Sequence, residues 1–357
     1  MNTIRRATLA ASLAAASGAA WATPCDVAIL IYSGGIVTPL SAHPECFAGG
    51  WTNLITQING TSFQQVTAIS QALQGRWGSD APGPRADAGL RGMAAGGAAK
   101  KWNVWGNVAN NDLRQTYGAA NGFTTRNDSD ITNTVLGADY LLAPGLALGV
   151  SVAFDKGDTS GLNSSPGDVL KNIDSDGYVV GPYLGWQISK TWSLDASAGF
   201  GSGKVKSNFS TETENDRWFA AANLNYETWS GNWQLAGKAS LLHGVEDYDN
   251  TKVAGASTPN TGAKNTLDQL RLGLQAGYWL NGFLPYASIG YTSDLTRKTT
   301  QAGAPSDPIG KNAWFWSLGA NFFSLAGGVN GGIAYRQEEG RDNQKNKNIM
   351  LNIGFRF

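Results

Sequence analysis

Charge is scarce in this chain: Asp, Glu, Lys and Arg make up 15% of the 357 residues, against the roughly 25% usual in soluble domains. That deficit excludes a disordered polyelectrolyte. The 27 cations balance 27 anions, and taking away a leader that carries Arg5 and Arg6 leaves 25 against 27. No basic footprint for nucleic acid remains. Two cysteines and two histidines are too few soft ligands for a four-coordinate zinc site unless carboxylates complete it, and neither a metal nor a cofactor is expected. Long apolar runs are missing as well. Beyond the first 22 residues no stretch of 18 apolar residues occurs, which excludes a helical membrane span.

Glycine and tryptophan, by contrast, are abundant, at 46 and 13 residues. Bare backbone and large amphipathic rings together suit strands. Residues 1–22 have a basic start, a small-residue apolar stretch from Ala7 to Trp21, and Ala20-Trp21-Ala22 in the A-x-A pattern. They read as a secretory signal peptide, the other reading being an N-terminal membrane anchor. In the short segment 23–50, Cys25 and Cys46 are an even pair in an exported chain, so a disulfide between them is expected in preference to two buried thiols.

Residues 51–77 read as helix. From Trp51 to Gln74 no residue is charged, while Trp51, Leu54 and Ile58, then Phe63, Val66, Ile69 and Leu73, recur at three and four. The spacing predicts two helical pieces separated at Gly60, with Thr61 or Ser62 capping the second. The other positions are Asn, Gln, Ser and Thr, which hydrogen-bond in a confined polar space without the desolvation cost of an ion. Such a helix suits a narrow polar tunnel, although an ordinary core helix would also fit. Residues 78–99, rich in Gly, Pro, Ala and Asp, read as a linker.

From residue 100 to 357 the period becomes two. Leu270, Leu272, Leu274, Ala276, Tyr278 and Leu280 alternate with Gln269, Arg271, Gly273, Gln275, Gly277 and Trp279. Twelve such segments are expected, near 101–111, 131–142, 146–156, 174–188, 192–204, 215–229, 233–246, 266–280, 283–295, 312–323, 329–338 and 347–357. Tight turns and long polar loops alternate between them. An even strand count with short turns on one side and long loops on the other is the signature of a bacterial outer-membrane barrel.

Ring spacing gives the apolar face its direction. Tyr178 and Trp186, Trp192 and Phe200, Trp218 and Tyr226, Phe283 and Tyr291, and Trp314 and Phe322 are each eight residues apart on the apolar face. At about 3.3 Å per residue and a tilt near 40°, eight steps rise roughly 20 Å, close to the apolar band between the aromatic girdles of such barrels. The opposite face carries Asp139, Asp195, Arg217, Glu227, Lys238, Arg271, Arg336 and Arg356. A soluble sandwich would have to pair every one of these charges in a dry core, whereas a wet lumen need not. The expected fold is therefore an all-β, twelve-stranded antiparallel transmembrane barrel with a helix inside its lumen.

The chain ends with Ile349, Leu351, Ile353, Phe355 and Phe357 on alternate positions. Gly137-Ala138-Asp139-Tyr140, running through Pro144-Gly145 to Leu146-Ala147-Leu148-Gly149, precedes it in a hairpin of G-x-D … G-L-x-L-G form. Over residues 51–357 the chain resembles the translocator domain of type V autotransporters. The resemblance implies an outer-membrane location facing lipid and lipopolysaccharide, a helix ahead of the first strand lying within the barrel, and Ile353, Phe355 and Phe357 as a signal read by the barrel assembly machinery. No large secreted passenger is expected in residues 23–50, so the barrel reads as a translocator or a remnant surface protein. A passive diffusion channel, or a lumen path built on Arg217, Arg271 and Arg336, is the rival reading.

Enzymatic motifs fail to assemble. His243 is followed by Gly244-Val245-Glu246 rather than the S-N-G of a barrel phospholipase, and its parity puts it on the lipid face near the outer rim. His43 lies in the Cys-bounded segment. Gly199 to Lys204 lacks the glycine spacing and following helix of a phosphate loop. A barrel-embedded hydrolase is accordingly the third reading, behind both non-catalytic ones. The disulfide expectation is checked with maleimide on denatured, non-reduced protein: no thiol should react, and labelling of both Cys25 and Cys46 would contradict the bond.

Overall fold

The computed structural model describes residues 48–78, 100–118, 124–163, 171–207, 211–253, 255–257, 262–300, 309–324 and 328–357. Cys25, Cys46, the signal segment and linker residues 79–99 lie outside them, as do the side chains of Trp51, Leu54 and Ile58. Among the described residues one helix, α1 (Ala48–Gly78), precedes the strands. The long strands are β1 (Trp102–Gly118), β2 (Thr124–Ala143), β3 (Leu146–Asn163), β4 (Lys171–Gln187), β5 (Trp192–Ser207), β6 (Thr211–Ser230) and β7 (Trp233–Tyr248), then β10 (Ala263–Tyr278), β11 (Phe283–Thr300), β12 (Asn312–Phe323), β13 (Val329–Glu339) and β14 (Gln344–Arg356). Two-residue strands β8 (Lys252–Val253) and β9 (Ala256–Ser257) form a small ribbon on β6.

The sheet closes. Each long strand pairs antiparallel with its neighbour, β5 pairs β6, and β1 pairs β14 in the register Val104↔Phe355. Backbone N–H and C=O of Trp102 and Phe357 exchange two bonds of 3.0 Å, so the last residue still belongs to the ladder. Tight turns gather on the rim that also holds Trp102 and Phe357. At Asn281-Gly282 both residues have positive φ, 48° and 98°, the conformation of a two-residue hairpin turn whose twist matches its strands.

Inside and outside are reversed relative to a soluble protein. Leu274, Phe200 and Leu241 stand 68%, 63% and 54% exposed on the outer face, while the inner face buries Asn133, Gln115, Asp139 and Asp195. All ten girdle rings point outward, Tyr291 half-buried and the others exposed. Rings pair across strands at both ends of the band, as in Trp192 against Tyr226 at 4.9 Å and Tyr291 against Trp314 at 5.0 Å.

Two expectations need correction. The helix is continuous through Gly60, because one glycine in a helix interior costs only about 1 kcal/mol and gives no stop by itself. The strands also run further than the apolar alternation: β1 ends at Gly118, β2 starts at Thr124 and β3 ends at Asn163, each seven residues beyond the expected limit. Ladder hydrogen bonds do not require an apolar face, so pairing continues above the lipid on polar residues. In that region Lys204 donates to Glu212 at 2.5 Å, a bond that holds the Glu212 carboxyl below its usual range and the Lys204 ammonium above its own.

The same polar rim carries a row of like charges. Asp112, Asp130, Asp158 and Asp174 are direct ladder partners across β1 to β4, all outward, bounded by Lys347 and Lys206 in the same row. Like charges directly opposite destabilise a ladder. Asp130→Asn relieves two such pairs and leaves an oxygen to accept the Asn110 amide, which donates to Asp130 at 2.5 Å. It should stabilise the fold by about 0.2–1 kcal/mol per pair at low salt and so raise the urea midpoint. The gain should fade at ~1 M salt, where screening acts within ~3 Å. A lowered or unchanged midpoint at low salt would count against the repulsion.

Candidate functional site

Filling a closed polar lumen calls for side chains that hydrogen-bond without carrying charge, and α1 supplies them. Gln64 Nε2 donates to Asn107 Oδ1 at 2.8 Å, Gln65 Nε2 to Ser151 Oγ at 3.0 Å, and Gln74 Nε2 to Asn225 Oδ1 at 3.0 Å. Asn107 Nδ2 returns a bond to Gln71 Oε1 at 3.3 Å. Ser70 Oγ donates to Asp195 at 2.9 Å, and Asn223 and Asn225 amides complete that carboxylate's shell. The apolar positions of the helix meet inward apolar patches of the wall. Val66 packs with Val179, Phe219 and Leu242, and Phe63 lies beside them. Ile69, Leu73 and Trp77 pack with Trp105, Val135, Ala147, Ala153 and Tyr183.

The helix ends on a built dock. Arg76 is the first cation after the neutral stretch, and its Nη1 donates to Asp139 Oδ1 at 2.6 Å with both side chains buried. Its Nη2 reaches the Lys101 carbonyl at 2.8 Å. Asp139 Oδ2 accepts from Asn103 Nδ2 and from the Tyr183 hydroxyl, each at 2.9 Å, and Trp105 Nε1 donates to that hydroxyl at 2.7 Å. Arg356, on the closing strand, donates Nη1 to the Arg76 carbonyl at 3.2 Å, which satisfies a helix C-terminal oxygen with a cation.

Glycines make room for the dock. A methyl group built on Gly137 would overlap the Trp105 ring, and one on Gly149 would overlap Tyr183 Cζ. The G-x-D … G hairpin thus provides the seat: two bare positions for the rings and the carboxylate between them. On β4, a methyl on Gly185 would come within 2.5 Å of Leu73 Cδ2.

The remaining inward charges divide by height. Arg217 Nη1 pairs with Asp155 Oδ1 at 2.7 Å and its Nε lies 3.9 Å from Glu246, so it is neutralised in the upper wall. That corrects the expected lumen path through Arg217, Arg271 and Arg336: burial among two carboxylates removes Arg217 from it. Lys238 takes its place, lining a common cavity with Arg271 and Arg336. Glu227 accepts from Trp229 Nε1 at 2.8 Å near the short-turn rim. His243 lies on the outward face, its Nδ1 2.5 Å from Asp268 Oδ1 and its ring 4.9 Å from Trp218. Ile353, Phe355 and Phe357 all point outward, exposed on β14 and at its end.

Arg76, Asn103, Trp105 and Tyr183 were not singled out in the sequence. The available signal for Arg76 was its position, a lone cation closing a long neutral helix. Removing one partner of a buried ion pair costs about 3–5 kcal/mol because the other charge stays uncompensated. Arg76→Met should therefore destabilise strongly and expose α1 to protease, and Asp139→Asn in the same chain should recover much of the loss. Additive losses in that double variant would show that the pair does not hold the helix.

The family model described as the autotransporter beta-domain matches residues 104–336. The solved translocator domain of the autotransporter NalP from Neisseria meningitidis is similar at 13% identity and TM-score 0.55, over 83% of this chain and 98% of that one. The transport unit of the autotransporter AIDA-I from Escherichia coli is similar at 15% identity and TM-score 0.53, over 71% and 90%. The beta domain of the Bordetella autotransporter BrkA follows at 16% identity and TM-score 0.50, over 72% and 100%. No curated protein sequence matches significantly. With a family model spanning well over half of its length, and a lipid-facing barrel around a docked helix, the chain belongs to the autotransporter β-domain family and resides in the bacterial outer membrane.

Proposed function

We propose that the barrel tethers and displays the segment ahead of α1 at the cell surface, with the helix both anchoring that segment and sealing the pore through which it passed. The observation that carries the reading is the direction of the helix. Its Arg76 end is fastened at the short-turn rim beside Lys101 and Arg356, while Val66 sits higher, against Val179, Phe219 and Leu242. A helix of 31 residues is about 46 Å long, so its first turns point to the long-loop rim, the outer side of such barrels.

In this reading residues 1–22 act as the export signal, residues 23–47 with the Cys25–Cys46 bond form the displayed segment, and residues 79–99 link helix to barrel. Ile353, Phe355 and Phe357 serve as the signal taken up by the barrel assembly machinery, their rings and branches lying on one lipid-facing stripe of the closing strand. The girdle rings and the mixed charges above them contact lipid and lipopolysaccharide. Catalysis has no part in the proposal.

Sealing is testable by conductance in planar bilayers. The full chain should conduct weakly, since a helix about 10 Å across fills much of the lumen. A barrel of residues 98–357 should conduct several-fold more. Ile69→Asp with Leu73→Asp should raise conductance of the full chain by setting ions against Trp105, Val135 and Tyr183. Equal conductance of full and shortened chains would favour a porin-like channel.

A further inference from the structure

The helix does not fill the lumen evenly. It packs against β1–β7, β10 and β14 and leaves β11–β13 less covered, and a cavity of about 260 Å³ remains beside it, lined largely by β7 and β10–β14. A single buried water needs only ~10–15 Å³ by such a measure, so the space has room for a small solvated ligand. Its lining reaches from the Ser189–Trp192 turn and Phe323 at the short-turn rim up to Phe63, Arg271 and Arg336. Among the charged side chains that line it, Lys190, Lys238, Arg271 and Arg336 face one carboxylate, Glu227.

Three of these cations form the inner end. Among the described residues neither Lys238, Arg271 nor Arg336 has a carboxylate partner in an ion pair, and the buried Nη2 of Arg336 has no hydrogen-bond partner. Arg271 is held by its Nε bond to Gln269 Oε1 at 2.7 Å, and its Cζ lies 3.1 Å from the ring centre of Phe63. Arg336 lies 3.6 Å from the ring centre of Phe315 and 6.0 Å from that of Phe63. Aromatic rings thus lie against both guanidiniums, whose N–H groups form the fork that matches an oxyanion. Between Lys238 and Phe315 the ladder row passes through Gly273 and Gly290, and the Phe315 ring lies across these bare positions toward Lys238.

Glu338 and Asp294 attract Arg271, Glu338 attracts Arg336 and Asp195 attracts Lys238, none of them as a contact ion pair. Cations without a contact partner in one semi-enclosed space repel one another and are relieved by an anion. We propose that Lys238, Arg271 and Arg336 form a binding site for a small oxyanion of the phosphate class, entering the half-lumen from the short-turn, periplasmic rim. The inference depends on where α1 sits, not on whether the helix seals the pore. Loss of the conductance difference would leave it standing.

The test uses the full chain folded in zwitterionic detergent, dialysed to equilibrium against radiolabelled inorganic phosphate at low ionic strength. Saturable binding of one phosphate per barrel is expected. Lys238→Gln and Arg336→Gln should each weaken it about tenfold, with heat-modifiable gel mobility reporting that the variants fold. Arg336→Lys keeps the charge but not the fork, and should weaken phosphate more than chloride. Lys206→Gln, an equal charge change on the exposed outer rim, should leave binding unchanged. Absence of saturable binding, or an equal loss in Lys206→Gln, would overturn the site. Displacement by short-chain phosphatidylglycerol at matching concentration would assign the phosphate to a lipid headgroup and overturn entry of the free ion.

Discussion

Hydrocarbon offers no partner to a backbone N–H or C=O, and this constraint fixes nearly everything else in the molecule. An open sheet would leave two rows of unsatisfied groups in lipid, so β1 must meet β14. Closure then turns the alternating faces into an apolar outside and a polar inside. Once the inside is polar, whatever occupies it must offer hydrogen bonds, and whatever ions it contains must find counter-ions or water. The neutral amides of α1 meet the first demand. The Arg76–Asp139 and Arg217–Asp155 pairs meet the second.

Packing inside such a tube also differs from packing in a soluble core. Strand spacing is set by the ladder, so the wall cannot move inward to grip a helix, and contact has to be built from side-chain size alone. Bare positions alternate with large rings for this reason. Trp105 lies over Gly137, Tyr183 over Gly149, Phe219 over Gly199 and Leu73 over Gly185. The abundance of glycine, which first suggested strands, is in part the set of seats for the rings and for the helix.

The barrel was legible in the sequence because its signals are local. Alternation, turn chemistry and the eight-residue ring spacing each repeat many times, so single ambiguous strands did little harm. The strand ends above the lipid were not legible, since polar residues alternate with polar residues there and the ladder leaves no trace in hydropathy. Asp139 and Arg356 could be placed on the inner face by parity, yet parity does not reveal partners. That Asp139 receives Arg76, Asn103 and Tyr183, and that Arg356 bonds the Arg76 carbonyl, depends on helix rotation and on contacts between residues as far apart as Arg76 and Arg356. Arg217, Arg271 and Arg336 looked equivalent for the same reason. Only the carboxylates Asp155 and Glu246 beside Arg217 separate it from the other two.

The position of the buried pair explains why a neutral helix ends in a charge. Amide and hydroxyl contacts along α1 are numerous and nearly interchangeable: a helix rotated or shifted by one turn would still find Asn, Gln and Ser on the wall. Apolar contacts with Val135, Ala147 and Val179 discriminate little better, because the inner patches are small. An arginine that must reach Asp139 behaves differently, since misplacing it strands two charges in a space where each alone is costly. Fixing this one contact at the last turn sets the rotation and depth of the whole helix, and with them the side of the lumen that is left open. The off-centre cavity beside Lys238, Arg271 and Arg336 is thus a geometric consequence of the dock on the opposite wall.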